Sequence, residues 1–177
     1  NGKARVPEEI WPGDAESWYP KKRSTLGAAL VMTSPGVPMI FQGQEMLEDR
    51  WFHEQDPLDW SHFDEHKGIL QMYTDLFKLR RNWQNNTAGL TGHNSRVHHV
   101  NNAENVIAFH RWKDGGPGDT VVVVANFSNH ARSDYQIGFP YGGLWRVRFN
   151  SDWQGYDEQF GQHDVFDIDA QEGEYDD

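Results

Sequence analysis

Cysteine is absent from all 177 residues of this chain. Disulfides, thiolate metal sites and cysteine nucleophiles are excluded together, and the absence suits a cytoplasmic protein. No apolar run approaches the 18 residues that a membrane-spanning helix needs, and a mean hydropathy of −0.82 agrees. The N-terminus shows no signal-peptide pattern. Basic residues are missing from one stretch: 151–177 holds ten Asp/Glu and no Lys or Arg, while residues 1–150 balance 16 basic against 17 acidic groups. All but one unit of the net charge of −11 is therefore carried by the end of the chain. Phosphate contacts need clustered cations, so neither nucleic acid nor a membrane is an expected partner. The acidic stretch reads as a solvated or disordered end, with a cation site as the alternative.

Apolar residues make up 37% of the sequence, with eight Trp and ten Phe, enough for a packed core. Residues 1–20 read as loop, broken by Pro7, Pro12, Gly13 and Pro20. Leu26, Ala29, Leu30 and Val31 predict a helix over 21–33, which Ser34-Pro35-Gly36 stops. Residues 37–41 read as a short apolar strand, with Pro38 near its start, where a ladder donor is least missed. Asp64 is placed as the N-cap of a long helix in which Ile69, Met72, Tyr73, Leu76, Leu79 and Trp83 recur at helical spacing.

Beyond Asn85 the helical period stops. Residues 96–101, 106–112, 120–126, 134–139 and 144–150 are strand candidates, parted by turns such as Gly115-Gly116-Pro117-Gly118-Asp119. The unbroken run Val121-Val122-Val123-Val124-Ala125 is expected to be covered on both faces, whereas Trp145, Val147 and Phe149 alternate with Arg146 and Arg148. The fold class expected is α/β plus all-β. The boundary falls within 84–94, giving a first unit of 1–86 and an antiparallel β-sandwich over 87–177.

The richest segment is 38–60, where an apolar stretch runs into a polar loop turning through Gly43. Phe41-Gln42-Gly43-Gln44-Glu45, Arg50-Trp51 and Leu58-Asp59-Trp60 resemble the last-strand region of the α-amylase family (glycoside hydrolase 13), in particular its glucan-branching members. Asn1-Gly2-Lys3 and Pro12-Gly13-Asp14-Ala15 resemble the stretch that follows that family's His-Asp-Glu-Val motif. The resemblance implies that residues 1–86 are the C-terminal end of a (β/α)8 barrel. A whole barrel takes roughly 250 residues, so the chain is expected to be a fragment. The family breaks α-1,4 glucosidic bonds with three carboxylates, all of which the resemblance places upstream of Asn1. No catalytic residue is expected here, and the implied partners are an α-glucan and the remainder of the barrel.

Gln44 and Glu45, Trp51 and Trp60, and Asp59 are the candidate substrate-binding residues. Gln44 and Glu45 are placed to hydrogen-bond sugar hydroxyls or brace a neighbouring group, with an ion-pair role for Glu45 left open. Trp51 and Trp60 offer flat apolar faces to a pyranose, and core packing is the alternative for both. Asp59 is a sugar contact or a brace for the loop backbone.

No metal or cofactor is expected. His62 and His66, four residues apart, read as a solvated helix cap, and His98, His99 and His110 as strand residues that do not converge on a ligand. Asp152/Asp157 and Asp164/Asp167 read as surface. Two function classes remain: part of an α-glucan-active enzyme, with branching favoured over hydrolysis or trehalose formation, and a non-catalytic carbohydrate-binding β-module.

Overall fold

Proline in the first turn of a helix loses no hydrogen bond, because the first four N–H groups have no intrahelical partner. Two of the proline breakers fall there. Pro7 sits at the start of α1 (Val6–Ile10), and Pro20 is the third residue of α2 (Trp18–Thr33). Much of the expected N-terminal loop is therefore helical, and α2 begins three residues before the sequence pattern suggests. The computed structural model describes residues 4–173. Asn1-Gly2-Lys3 and the acidic residues within 174–177 lie outside the described residues.

Residues 37–41 form no strand. Val37 and Met39 are 97% and 80% exposed, so the apolar run has neither a ladder nor a covering layer. A strand holds its shape by pairing, and among the described residues no other strand lies beside this one. No part of a (β/α)8 barrel is present among the described residues, where the expected barrel end is instead helices joined by loops.

The long second helix is divided. α3 (Ser61–Glu65) ends at His66, whose φ of −112° and ψ of 36° interrupt the helix, and α4 (Lys67–Arg80) follows. Asp64 lies inside α3, whose N-cap is Trp60 with no side-chain cap bond; one residue earlier, Asp59 Oδ1 accepts the Ser61 N–H at 3.1 Å and the Ser61 hydroxyl at 2.6 Å. Ile69, Met72, Tyr73 and Leu76 are buried along α4 as the periodicity predicts. Trp83 is not on that face. Asn82, with φ of 51°, turns the chain left-handed, and the bonds Trp83 N–H to Lys78 O (2.9 Å) and Asn82 N–H to Leu79 O (3.0 Å) close the helix and leave Trp83 67% exposed.

His62 and His66 are both buried, which corrects their reading as a solvated cap. Lys21 pairs with Asp157 at 3.0 Å and Lys22 with Asp152 at 2.5 Å, all four side chains at or below 20% exposure. Asp152 and Asp157 are thus paired residues of the helical unit rather than free surface.

The described fold divides into two compact units. One gathers residues 4–32, 37–77 and 151–162; the other gathers 33–36, 78–150 and 163–173. In the second unit β1 (Asn94–Asn101), β2 (Val106–Trp112) and β3 (Val121–Asn126) form an antiparallel sheet in that order. The β2–β3 turn is tied by Asp119, whose carboxylate accepts the N–H groups of Lys113 (3.1 Å), Asp114 (2.9 Å) and Gly115. β4 (Gly143–Trp145) and β5 (Ile168–Ala170) form a second antiparallel pair.

Three strand expectations need correction. Residues 134–139 form no strand, and 144–150 keep only the part within β4. The valine run is not covered on both faces, since Val124 is 50% exposed. His98 and His110 bond each other: the register slips between Val97 and His99, and His98 Nδ1 lies 3.0 Å from His110 Nδ1, while His99 bonds Tyr135 instead.

Candidate functional site

The loop after the apolar run is organised by one buried carboxylate. Gly43 turns left-handed at φ of 83° and its carbonyl accepts the Glu48 N–H at 2.9 Å, so Glu48 folds back under the loop with its side chain 1% exposed. Its Oε1 accepts Arg50 Nε at 2.8 Å and its Oε2 accepts the Asp59 N–H at 2.7 Å. Arg50 reaches onward, donating from Nη2 to Pro57 O at 2.8 Å. One Glu and one Arg thereby fix both sides of the loop over 48–59.

Burial by itself raises the Glu48 pKa. The Arg50 hydrogen bond, the Asp59 N–H and the Arg50 and Arg5 charges outweigh it and hold the group below the usual carboxylate range. Gly43 is required at its position, because a Cβ there would meet Glu48 Cβ at 2.7 Å.

A second clamp lies beside the first. Buried Arg5 donates to Gln42 O and lies over the rings of Phe41 (4.9 Å) and Phe52 (5.7 Å), which meet edge to face at 5.1 Å. A guanidinium between aromatic faces is favourable and holds both rings in place.

The structure places all five residues expected at the site on or beside this frame. Gln44 and Glu45 begin a short 3-10 turn (Gln44–Met46) and are half-buried, with Gln44 Oε1 accepting the Phe41 N–H at 3.1 Å. Both act on the buried Tyr73 hydroxyl: burial raises its pKa, Gln44 draws it down and the Glu45 charge raises it further. Asp59 is half-buried, and the Ser61 hydroxyl and N–H draw its pKa below the ordinary value. Trp51 and Trp60 are 60% and 66% exposed, so neither packs into a core formed by the described residues.

Glu48 is the residue that sequence reasoning missed. It carries the bracing role expected of Glu45, and its signal is faint: a carboxylate two residues before Arg50, without periodicity to mark it as buried.

Residues 97–175 match the family described as "Alpha amylase, C-terminal all-beta domain". Over 162 residues the chain is 32% identical to the 1,4-alpha-glucan branching enzyme GlgB of Pseudomonas fluorescens, an alignment covering 82% of this chain and 20% of that protein. Both similarities point to the α-amylase family. The GlgB of Deinococcus radiodurans is 28% identical over 156 residues (85% of this chain, 21% of that one), and the GlgB of a Mycobacterium species 33% over 129 residues (69% and 16%). The chain spans about a fifth of the length of the curated relatives it matches. Its antiparallel sheets lie largely inside the matched all-β region, and among the described residues no helix is long and apolar enough to cross a membrane.

Proposed function

We propose that the chain is the C-terminal part of a cytoplasmic 1,4-α-glucan branching enzyme, which cuts an α-1,4-linked glucan and transfers the freed chain to a 6-hydroxyl. The catalytic carboxylates are supplied by residues outside these 177. Residues 1–86 belong with the catalytic domain without supplying a strand of its barrel, and 87–177 form a β-sandwich appended to it, apart from 151–162, which join the helical unit. Within the first part, Gln44, Glu45, Asp59, Trp51 and Trp60 meet glucan, the two indoles stacking on sugar faces and the polar groups bonding hydroxyls.

The exposure of Trp51 and Trp60 on the frame set by Glu48 and Arg50 carries this reading. An exposed aromatic on a braced loop is pre-ordered to receive a flat ligand, and ordering costs are where weak sugar contacts lose most of their affinity. Relatives named as branching enzymes favour transfer over hydrolysis.

Amylose distinguishes the alternatives. Transfer breaks one α-1,4 bond for each α-1,6 bond formed, so the whole protein should lower iodine absorbance without adding reducing ends. Reducing ends rising in step with the loss of absorbance would identify a hydrolase instead. The 177-residue chain alone should do neither; turnover by the purified chain would overturn the assignment of catalysis elsewhere.

A further inference from the structure

His62 has no hydrogen bond of ordinary length at either ring nitrogen, although it is 7% exposed and lies in a polar neighbourhood. Its Nδ1 is buried without a partner among the described residues, and its Nε2 faces Glu16 Oε1 at 3.6 Å, beyond hydrogen-bonding range. Glu65 is on the same side: one ligating atom from each of Glu16, His62 and Glu65 lies within 4.8 Å of the others. A buried imidazole with one exposed carboxylate at 3.6 Å and a second within 4.8 Å matches the spacing of a metal site.

Zinc holds nitrogen and oxygen ligands at about 2.0–2.2 Å, which in a tetrahedron sets neighbouring donors about 3.4 Å apart. The Glu16 to His62 separation of 3.6 Å is already near that value. Glu65 closes the remainder by changing rotamer, which its exposure allows. His62 and Glu65 share α3 at a spacing of three residues, so the helix sets two ligands on one side, and Glu16 comes from the turn before α2. Three protein ligands leave a fourth position to water, and the exposed glutamates give the ion a path in.

We propose that Glu16, His62 and Glu65 bind one divalent transition-metal ion of zinc's class, clipping the turn before α2 to α3. Imidazole with two carboxylates is a borderline donor set that suits zinc better than calcium or magnesium, which take oxygen alone. His66, four residues from His62, meets its ring edge to face at 5.4 Å and has a buried Nε2 without a partner among the described residues. It is the nearest candidate to support or replace a ligand. The site is independent of glucan binding and of the branching reading.

The test is competition for Zn2+ between the chelator-stripped intact protein and a chromophoric chelator. One equivalent should bind, Glu16→Gln and Glu65→Gln should each weaken binding about tenfold or more, and Zn2+ should raise the melting temperature of the parent but not of the double variant. Both substitutions fall on exposed side chains, so circular dichroism should show an unchanged fold. In the nitrogen-15 spectrum, Zn2+ should shift the His62 ring resonances ahead of every other histidine. Absence of stoichiometric binding, or binding that the two variants leave unaltered, would overturn the proposal.

Discussion

The loop over 43–61 and the β1–β2–β3 sheet are ordered by opposite means. In the sheet the backbone holds itself: β2 pairs along its length with β1 on one side and β3 on the other, and no single side chain is indispensable to the ladder. In the loop the backbone has few partners of its own, and the Glu48 carboxylate supplies them. A sheet spreads its stability over many bonds and resists point changes, whereas a loop held by one carboxylate depends on that group's identity and charge. The exposed aromatics of Trp51 and Trp60 stand on the second kind of support, which makes their position sensitive to a residue that need never touch a ligand.

The sheet's weakness should lie where it is crowded. Gly89 sits in a 3-10 turn (Ala88–Thr91), its N–H bonded to Asp119 O at 2.8 Å, and a Cβ there would approach Arg111 O to 2.4 Å and Asp119 O to 2.6 Å. Both obstacles are backbone and neither can swing away. Gly89→Ala is therefore expected to cost more than any change in the loop, about 3 kcal/mol or more, read as a lowered denaturation midpoint. A loss under about 1 kcal/mol would mean that this unit yields as easily as a loop.

Glu48→Ala tests the other side of the comparison. It leaves the Asp59 N–H without its acceptor and releases Arg50, at an expected cost of about 1–3 kcal/mol. The damage should be local: amides over 49–60 should exchange faster with solvent while β2 remains protected. Uniform acceleration across β2 as well would show that the loop and the sheet do not respond separately.

Acid should affect the two regions in different ranges. The His110 pKa is lowered by burial and by the His98 and Arg96 charges, so the unfolded chain takes up that proton first as pH falls. Stability from neutral His110 is complete above the ordinary histidine value and is lost as pH falls from there through the lowered folded value. Glu48 is also depressed, but on the carboxylate scale; its contribution is complete above the ordinary carboxylate value and disappears only as pH falls through its own folded value. Melting curves should thus decline in two steps, the step at higher pH shared between His110 and the buried His66, whose pKa burial also lowers, so that His110→Phe shrinks that step and leaves the one at lower pH in place. A higher-pH step that His110→Phe leaves unaltered would exclude the histidine pair as part of its origin.

The sequence made the sheet legible and the loop only partly so, for a physical reason. Strands β1 to β3 and the buried face of α4 follow from periodicity, because burial repeats every two residues or along one helical side. The strand expected at 37–41 shows the limit: an apolar run specifies that something should cover it, not that it will pair. The bulge joining His98 to His110 and the fold-back that buries Glu48 are single-residue events with no period to read. Residue types such as Trp51 and Trp60 are visible in the bare sequence, but the frame that presents them is not.

Trp60→Ala should have the smallest effect on stability and the most informative effect on function. The side chain is 66% exposed, and exposed positions outside packed cores change stability by about 0.5 kcal/mol or less. If the indole stacks on a sugar ring, its loss should weaken use of α-glucan by the whole protein by about 1–3 kcal/mol, seen as a reduced kcat/KM on amylose with an unchanged melting temperature. Glu48→Ala, which leaves the indole in the sequence but frees the loop beneath it, should reproduce part of that loss through disorder alone. Equal kinetics for wild type and Trp60→Ala would remove the indole from the glucan-binding surface. A lowered melting temperature with normal kinetics would assign Trp60 to packing against parts of the protein outside these residues. Only the combination of unchanged stability, weaker glucan use and a partial copy of the defect in Glu48→Ala fits a sugar-stacking side chain held in place by a buried carboxylate.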